Sequence, residues 1–158
     1  MCDVILLALP FKEYERTIRG LAPLLREHNP NAVIVDIATV NLYTRGLLRS
    51  LAQGLFWLST HPNFGPGAYK KRRSKIKGFE IFVVEHTLPP EIYQAVAAFV
   101  TACGFVVTIR DADEHDVTLA ETLYVAQRTN QIWKEAGIKR TPFDTPSFRA
   151  MMDGCDML

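Results

Sequence analysis

Apolar residues along the first two-thirds of this chain follow two alternating rhythms. Short, nearly unbroken runs occur at Val4-Ile5-Leu6-Leu7-Ala8-Leu9, Val33-Ile34-Val35-Asp36-Ile37, Leu55-Phe56-Trp57-Leu58, Phe79-Glu80-Ile81-Phe82-Val83-Val84 and Phe105-Val106-Val107-Thr108-Ile109. Runs of this kind read as strands covered on both faces, as in a parallel sheet. Between them, apolar residues recur every three or four positions, the spacing of one helix face. Phe11, Tyr14, Ile18, Leu21 and Leu25 mark a helix that closes near Asn29-Pro30. A second, about Leu42 to Gln53, carries Leu47, Leu48 and Leu51, and a third carries Ile92, Val96, Phe99, Val100 and Cys103. The alternation predicts an α/β fold, a mostly parallel sheet of about five strands with helices on both faces.

The last third changes character. Asp111-Ala112-Asp113-Glu114 has the spacing of a helix cap, an acidic residue with Glu three positions on. It predicts a helix from Glu114 to about Ala136, ended by Gly137. Pro142 and Pro146 punctuate the loop that follows, and a short helix is expected over Phe148 to Met157. The chain therefore divides into an α/β domain over residues 1–110 and the start of a helical region, a tail, over 111–158.

Composition narrows the function classes. At 158 residues, 48% of them apolar, the chain suits a compact fold that could bury roughly 70% of its unfolded surface. A net charge of +1 gives no global attraction to nucleic acid or membrane. The run Tyr69-Lys70-Lys71-Arg72-Arg73-Ser74-Lys75-Ile76-Lys77 holds six cations. It reads as a solvated mobile loop. A phosphate or nucleic-acid contact is the alternative, but no aromatics are interleaved to stack bases. Cys2, Cys103 and Cys155 are an odd set without metal-ligand spacing, which fits a reducing cytoplasm. Cys103, on an apolar helix face, reads as a small hydrophobe. No apolar run approaches the ~20 residues of a membrane span, and the start lacks the basic region of a signal peptide. His28 and His86 read as surface residues at element ends.

Candidate chemistry centres on Ser59-Thr60-His61-Pro62-Asn63-Phe64-Gly65-Pro66, which follows the third apolar run. A strand there delivers His61 onto a loop, and histidine is the side chain best suited to exchange a proton near neutral pH. In open parallel sheets, ligands bind beyond the carboxyl ends of the strands. Pro10, Thr39 and His61 all lie just past such ends, which puts Thr39 and His61 on one rim, within reach of each other. The plainer alternative has Thr39 capping the helix after it and His61 as a polar loop residue. His115 and Asp116 likewise have a plain reading, as polar anchors of a helix start.

Four segments, in this order, resemble the prephenate and arogenate dehydrogenases. Asp3-Val4-Ile5-Leu6-Leu7-Ala8-Leu9-Pro10 is similar to the fourth strand of that family's nucleotide fold. Val35-Asp36-Ile37-Ala38-Thr39-Val40-Asn41 is similar to its Asp-x-x-Ser-x-Lys segment, with Asn41 where lysine is usual. Thr60-His61-Pro62-Asn63-Phe64-Gly65-Pro66 resembles its His-Pro-Met-x-Gly loop, nearest to the plant arogenate enzymes. Glu114-His115-Asp116 with Ala120-Glu121 resembles the start of its long helix; beyond these four, Thr141-Pro142-Phe143-Asp144-Thr145 resembles the plant-type branch.

The resemblance implies the second half of a Rossmann-like sheet and an NAD- or NADP-dependent oxidative decarboxylation of a cyclohexadienol acid in tyrosine biosynthesis. It implies that His61 takes the ring hydroxyl's proton, with Thr39 in the place of the supporting serine. His115, Gln127 and Arg128 fall on the substrate side, where Gln127 replaces a second histidine, and Arg149 is a further candidate for the substrate carboxylate. Leu9, Pro10, Thr39 and Pro62 fall on the cofactor side. The family's Gly-x-Gly-x-x-Gly turn, which binds pyrophosphate through backbone amides, has no counterpart in the sequence.

On this reading the chain is a truncated relative, inactive when isolated. The alternative is a non-catalytic module that binds a small aromatic or carboxylate ligand, or a partner protein. With the family's first strands missing, residues 4–9 become an apolar sheet edge, and the expected partner is a second copy of the chain. A homodimer is expected, through that edge or through the long helix.

Overall fold

In the computed structural model, which describes residues 3–72 and 75–155, five strands form one sheet in the order β1-β2-β3-β4-β5. They are β1 (Val4–Leu7), β2 (Val33–Asp36), β3 (Phe56–Pro62), β4 (Glu80–His86) and β5 (Val106–Ile109). β1, β2 and β3 are parallel neighbours, β4 runs antiparallel to β3, and β5 is parallel to β4. The chain thus adopts the mostly parallel α/β sheet that the alternating rhythms predict.

Strand periodicity decides which helix covers which face. Leu7, Ile34 and Trp57 point to one side, where α1 (Tyr14–His28) and α2 (Asn41–Leu51) pack Tyr14, Ile18, Ala22, Leu25 and Leu48 against them. Val33, Leu58 and Val83 point to the other, where α4 (Pro90–Ala102) brings Ile92, Tyr93 and Val96; α3 (Pro66–Lys71) precedes it in sequence. Each fully buried side chain of this kind contributes roughly 1.5–3 kcal/mol. β1 is an edge strand, with Val4 and Leu6 more than half exposed.

Packing groups the described residues through Asn63 with Lys77–Asp116 into one compact unit, which holds the sheet, α1, α2 and α4. Phe64–Ile76 and the residues from Val117 onward form a second, containing α3, α6 (Val125–Glu135) and α7 (Pro146–Cys155). In that unit Gly137 ends α6 at φ +67°, and Trp133 stacks on Phe148 with ring centres 5.7 Å apart.

Several local expectations are corrected. His61 lies inside β3 rather than on a loop, because β4 extends the pairing: His61 sits opposite Phe82 and Pro62 opposite Ile81. The long helix is not uniformly α-helical. It runs α5 (Ala112–Leu119), a π-helical stretch (Ala120–Tyr124), then α6. The Thr122 hydroxyl donates to the Thr118 carbonyl at 2.7 Å, competing for an acceptor of the regular ladder. The first part of the basic run is helix α3, not loop. Cys103 is exposed, since α4 ends at Ala102 and Gly104 turns the chain at φ +101°. His86 does end β4 but is partly buried, its ring stacked on Tyr93 at 4.3 Å. Cys2, Arg73, Ser74 and Met157 lie outside the described residues.

Gly104 holds a backbone conformation that side chains rarely adopt, and an added Cβ meets the Lys77 backbone at 3.4 Å. Gly104→Ala is expected to cost about 1–2 kcal/mol, read as a lower urea midpoint at unchanged slope.

Candidate active site

The site begins with a carboxylate inside the sheet. Asp36 ends β2 and is fully buried, so its oxygens must find donors within the protein. Oδ1 accepts the Ala38 N–H at 2.9 Å and the Tyr14 hydroxyl at 2.8 Å; that hydroxyl oxygen also lies 2.9 Å from the Leu7 carbonyl, a second acceptor for its single proton. Oδ2 accepts the Thr44 hydroxyl at 2.7 Å and the Ser59 hydroxyl at 3.0 Å. Burial, then the neighbouring Asp36 charge, hold the Tyr14 phenol well above its ordinary range. One carboxylate thus ties together β1, β2, β3, α1 and α2.

Asn41, fully buried at the start of α2, carries the network toward the histidines. Its Nδ2 donates to Ser59 Oγ (3.1 Å), the Ala38 carbonyl (3.2 Å) and the Thr60 carbonyl (3.3 Å). Its backbone N–H donates to Asp116 Oδ1 at 3.1 Å, and the Leu42 N–H donates to Oδ2 at 2.6 Å. Asp116 therefore caps α2, where the helix dipole also favours a negative charge.

The same Asp116 Oδ1 lies 2.9 Å from His115 Nδ1, and His115 Nε2 lies 3.0 Å from His61 Nδ1. His61 is 5% exposed. Its ring and that of His115 meet edge-on, 5.1 Å apart, against Phe82. Burial pushes the His61 imidazole down to about 4, the adjacent His115 acts in the same direction, and Asp116 opposes both. His61 is therefore a neutral imidazole at pH 7, which is the form a general base requires. α5 is located from its own start: the Asp111 carboxylate accepts the Asp113 and Glu114 N–H groups, both at 3.0 Å. Arg45, nearly buried on α2, holds Asp113 at 2.6 Å and Glu85 of β4 at 3.5 Å.

The structure thus brings His61, His115 and Asp116 together but gives Thr39 a different place. Thr39 is exposed, the hydrogen bond of His61 goes to His115, and the α2 N-terminus is capped by Asp116. Leu9 and Pro62 are partly buried and Pro10 is exposed. Gln127 and Arg128 lie on α6 in the second unit, both exposed, with Arg128 bonded to Gln131 at 2.6 Å; Arg149 lies on α7. Sequence reasoning missed Asp36 as a hub, Arg45 and Phe82. A lone carboxylate ending an apolar strand was the available signal for the first.

On the opposite sheet face, Val4, Leu6, Val35, Leu58, Val96 and Phe99 line an apolar groove of about 580 Å³. Among the described residues no cluster of three His, Cys, Asp or Glu side chains could hold a metal ion. None of the described helices is long and apolar enough to cross a membrane.

No protein-family model matches this chain, nor does any curated protein. Solved structures do match. Prephenate dehydrogenase from Aquifex aeolicus, in complex with hydroxyphenyl propionate and NAD+, aligns with a TM-score of 0.69 at 14% identity, over 98% of this chain and 56% of that one. A putative prephenate dehydrogenase from Corynebacterium glutamicum gives 0.68 at 18%, over 96% and 50%. Synechocystis arogenate dehydrogenase gives 0.66 at 15%, over 97% and 58%. At these identities the likeness establishes the fold alone, a Rossmann-like α/β sheet. The chain spans about half the length of the structures it matches.

Proposed function

We propose that this chain carries the proton-accepting part of a dehydrogenase of the prephenate and arogenate type, with His61 as the base for the ring hydroxyl of a cyclohexadienol acid. The observation that carries the reading is a buried, neutral histidine, held by a second histidine and a carboxylate, inside a fold shared with such enzymes. Oxidation of a ring alcohol needs the hydroxyl proton removed as a hydride leaves the same carbon, which a nicotinamide held with the rest of such an enzyme would accept, and His61 is the described group suited to take the proton. Loss of carbon dioxide then makes the ring aromatic, giving 4-hydroxyphenylpyruvate or tyrosine. His115 is the proposed support of His61, in the place that the family likeness gives to Thr39.

One neighbour was solved with NAD+, and Leu9, Pro10, Thr39 and Pro62 are the proposed residues on the nicotinamide side. The pyrophosphate is another matter. The sequence has no Gly-x-Gly-x-x-Gly turn, and Gly65-Pro66-Gly67 opens a helix of only six residues. The described residues do not fit a dinucleotide's phosphates.

A calorimetric and thermal-shift titration with prephenate, arogenate, NAD and NADP tests the reading. A ligand bound only by the folded chain raises stability by ~2.7 kcal/mol at a hundred times its dissociation constant. Prephenate or arogenate is expected to do so. No response to either acid overturns the reading and leaves a binding module, which the apolar groove beside the exposed edge strand favours. Light scattering that shows a dimer supports self-association at that edge.

A further inference from the structure

We propose that Asp116 and His115 are positioning residues that lock His61 in the less common Nδ1–H tautomer, so that its Nε2 is the free base. The inference deepens the reading of His61 as a base and concerns which of its two nitrogens performs that task. The backbone N–H groups of Asn41 and Leu42 can only donate, and both Asp116 oxygens accept from them. The carboxylate is thereby oriented and faces His115 Nδ1 as an acceptor. His115 Nδ1 must then carry the proton, and with that one ring proton its Nε2 keeps a lone pair. That lone pair lies 3.0 Å from His61 Nδ1, so His61 Nδ1 donates and His61 Nε2 is bare. The direction of the whole chain is set by the first turn of α2.

Imidazole side chains in water favour the opposite form, with the proton on Nε2. The lock therefore has a direct spectroscopic signature. Asp116→Asn is expected to invert it. The 2.6 Å bond from the Leu42 N–H outweighs the 3.1 Å bond from the Asn41 N–H, so the amide oxygen takes the Oδ2 position and the NH2 group turns toward His115 Nδ1 at the cost of the Asn41 bond. His115 then accepts at Nδ1, donates from Nε2, and forces His61 to carry its proton on Nε2. In a catalytic Asp-His pair, the same kind of exchange costs about 10⁴ in kcat through the wrong tautomer.

The experiment is ¹⁵N NMR of the imidazole rings in the full 158-residue chain at pH 8, with the four histidines assigned by single His→Gln substitutions. Wild type is expected to show His61 protonated at Nδ1 and unprotonated at Nε2. Asp116→Asn is expected to reverse the two, and His115→Phe, which removes the acceptor, to return His61 to the Nε2–H form. His61 already in the Nε2–H form in wild type overturns the proposal, as does an unchanged Nδ1–H form in both variants. The readout needs no substrate. A correct tautomer with no binding of either acid removes the functional reading and leaves the lock, and the reverse combination removes only the lock.

Discussion

Asp36→Ala is expected to lower the stability of the chain by about 3–5 kcal/mol, the cost of breaking a buried charged network by deleting one partner. Four donors converge on this carboxylate from Tyr14, Ala38, Thr44 and Ser59. Tyr14 retains the Leu7 carbonyl and Ser59 retains Asn41 as a donor to it. The Ala38 N–H loses its carboxylate partner, and a void opens where β1, β2 and α2 meet. In a domain of this size each kcal/mol moves the midpoint by roughly 2–4 °C, so thermal unfolding should come at least about 6 °C earlier. Asp36→Asn is expected to cost less, because its amide oxygen still accepts while its NH2 group faces donors. The loss should also reach the site, since Ser59 and Asn41 connect Asp36 to the α2 turn that holds Asp116. A change below 1 kcal/mol by urea unfolding would contradict the role assigned to Asp36.

The second large effect is a pH dependence of stability carried by His61. Its folded value is pushed down to about 4, whereas an unfolded histidine titrates near 6.5. Between those values the unfolded chain binds the extra proton, so stability must fall as pH drops through the window. The contribution is fully present above pH 6.5 and is lost toward pH 4. After allowance for solvent screening it amounts to about 2–3 kcal/mol. Carboxylates held by backbone donors, Asp111 among them, add their own acid loss at lower pH. A comparison with His61→Asn isolates the histidine. Urea unfolding from pH 8 to pH 4 should show wild type losing that much more stability than the variant. Parallel curves would mean that His61 is not the buried neutral group described above.

How far the sequence could be read depended on the range of the interaction. Unbroken apolar runs and three-to-four spacing report local burial, so the strands and helices of the first unit were legible, although β3 runs four residues past the apolar run that marked it. Strand direction is not encoded in that rhythm. β4 therefore looked like any other strand, and its antiparallel pairing, which draws His61 into β3, was invisible. Polar Thr60-His61-Pro62 looked like a loop for the same reason. The rim argument placed Thr39 beside His61, but Thr39 is exposed and the partner is His115, 54 residues on. Likeness to the Glu-His-Asp segment did single out His115, yet no spacing rule could join it to His61. Cys103 sits at the right period for an apolar face and is exposed all the same, since the helix stops one residue before it.

The central claim is that His61 presents a free nitrogen to the hydroxyl of a cyclohexadienol acid. The most direct measurement follows the His61 ring resonances of the full chain at pH 8 during titration with prephenate and with arogenate. The account expects His61 Nε2 to move with saturable dependence on one of the two acids, while exposed His28 stays in place. His61 signals that remain fixed at saturating concentrations of both would contradict it.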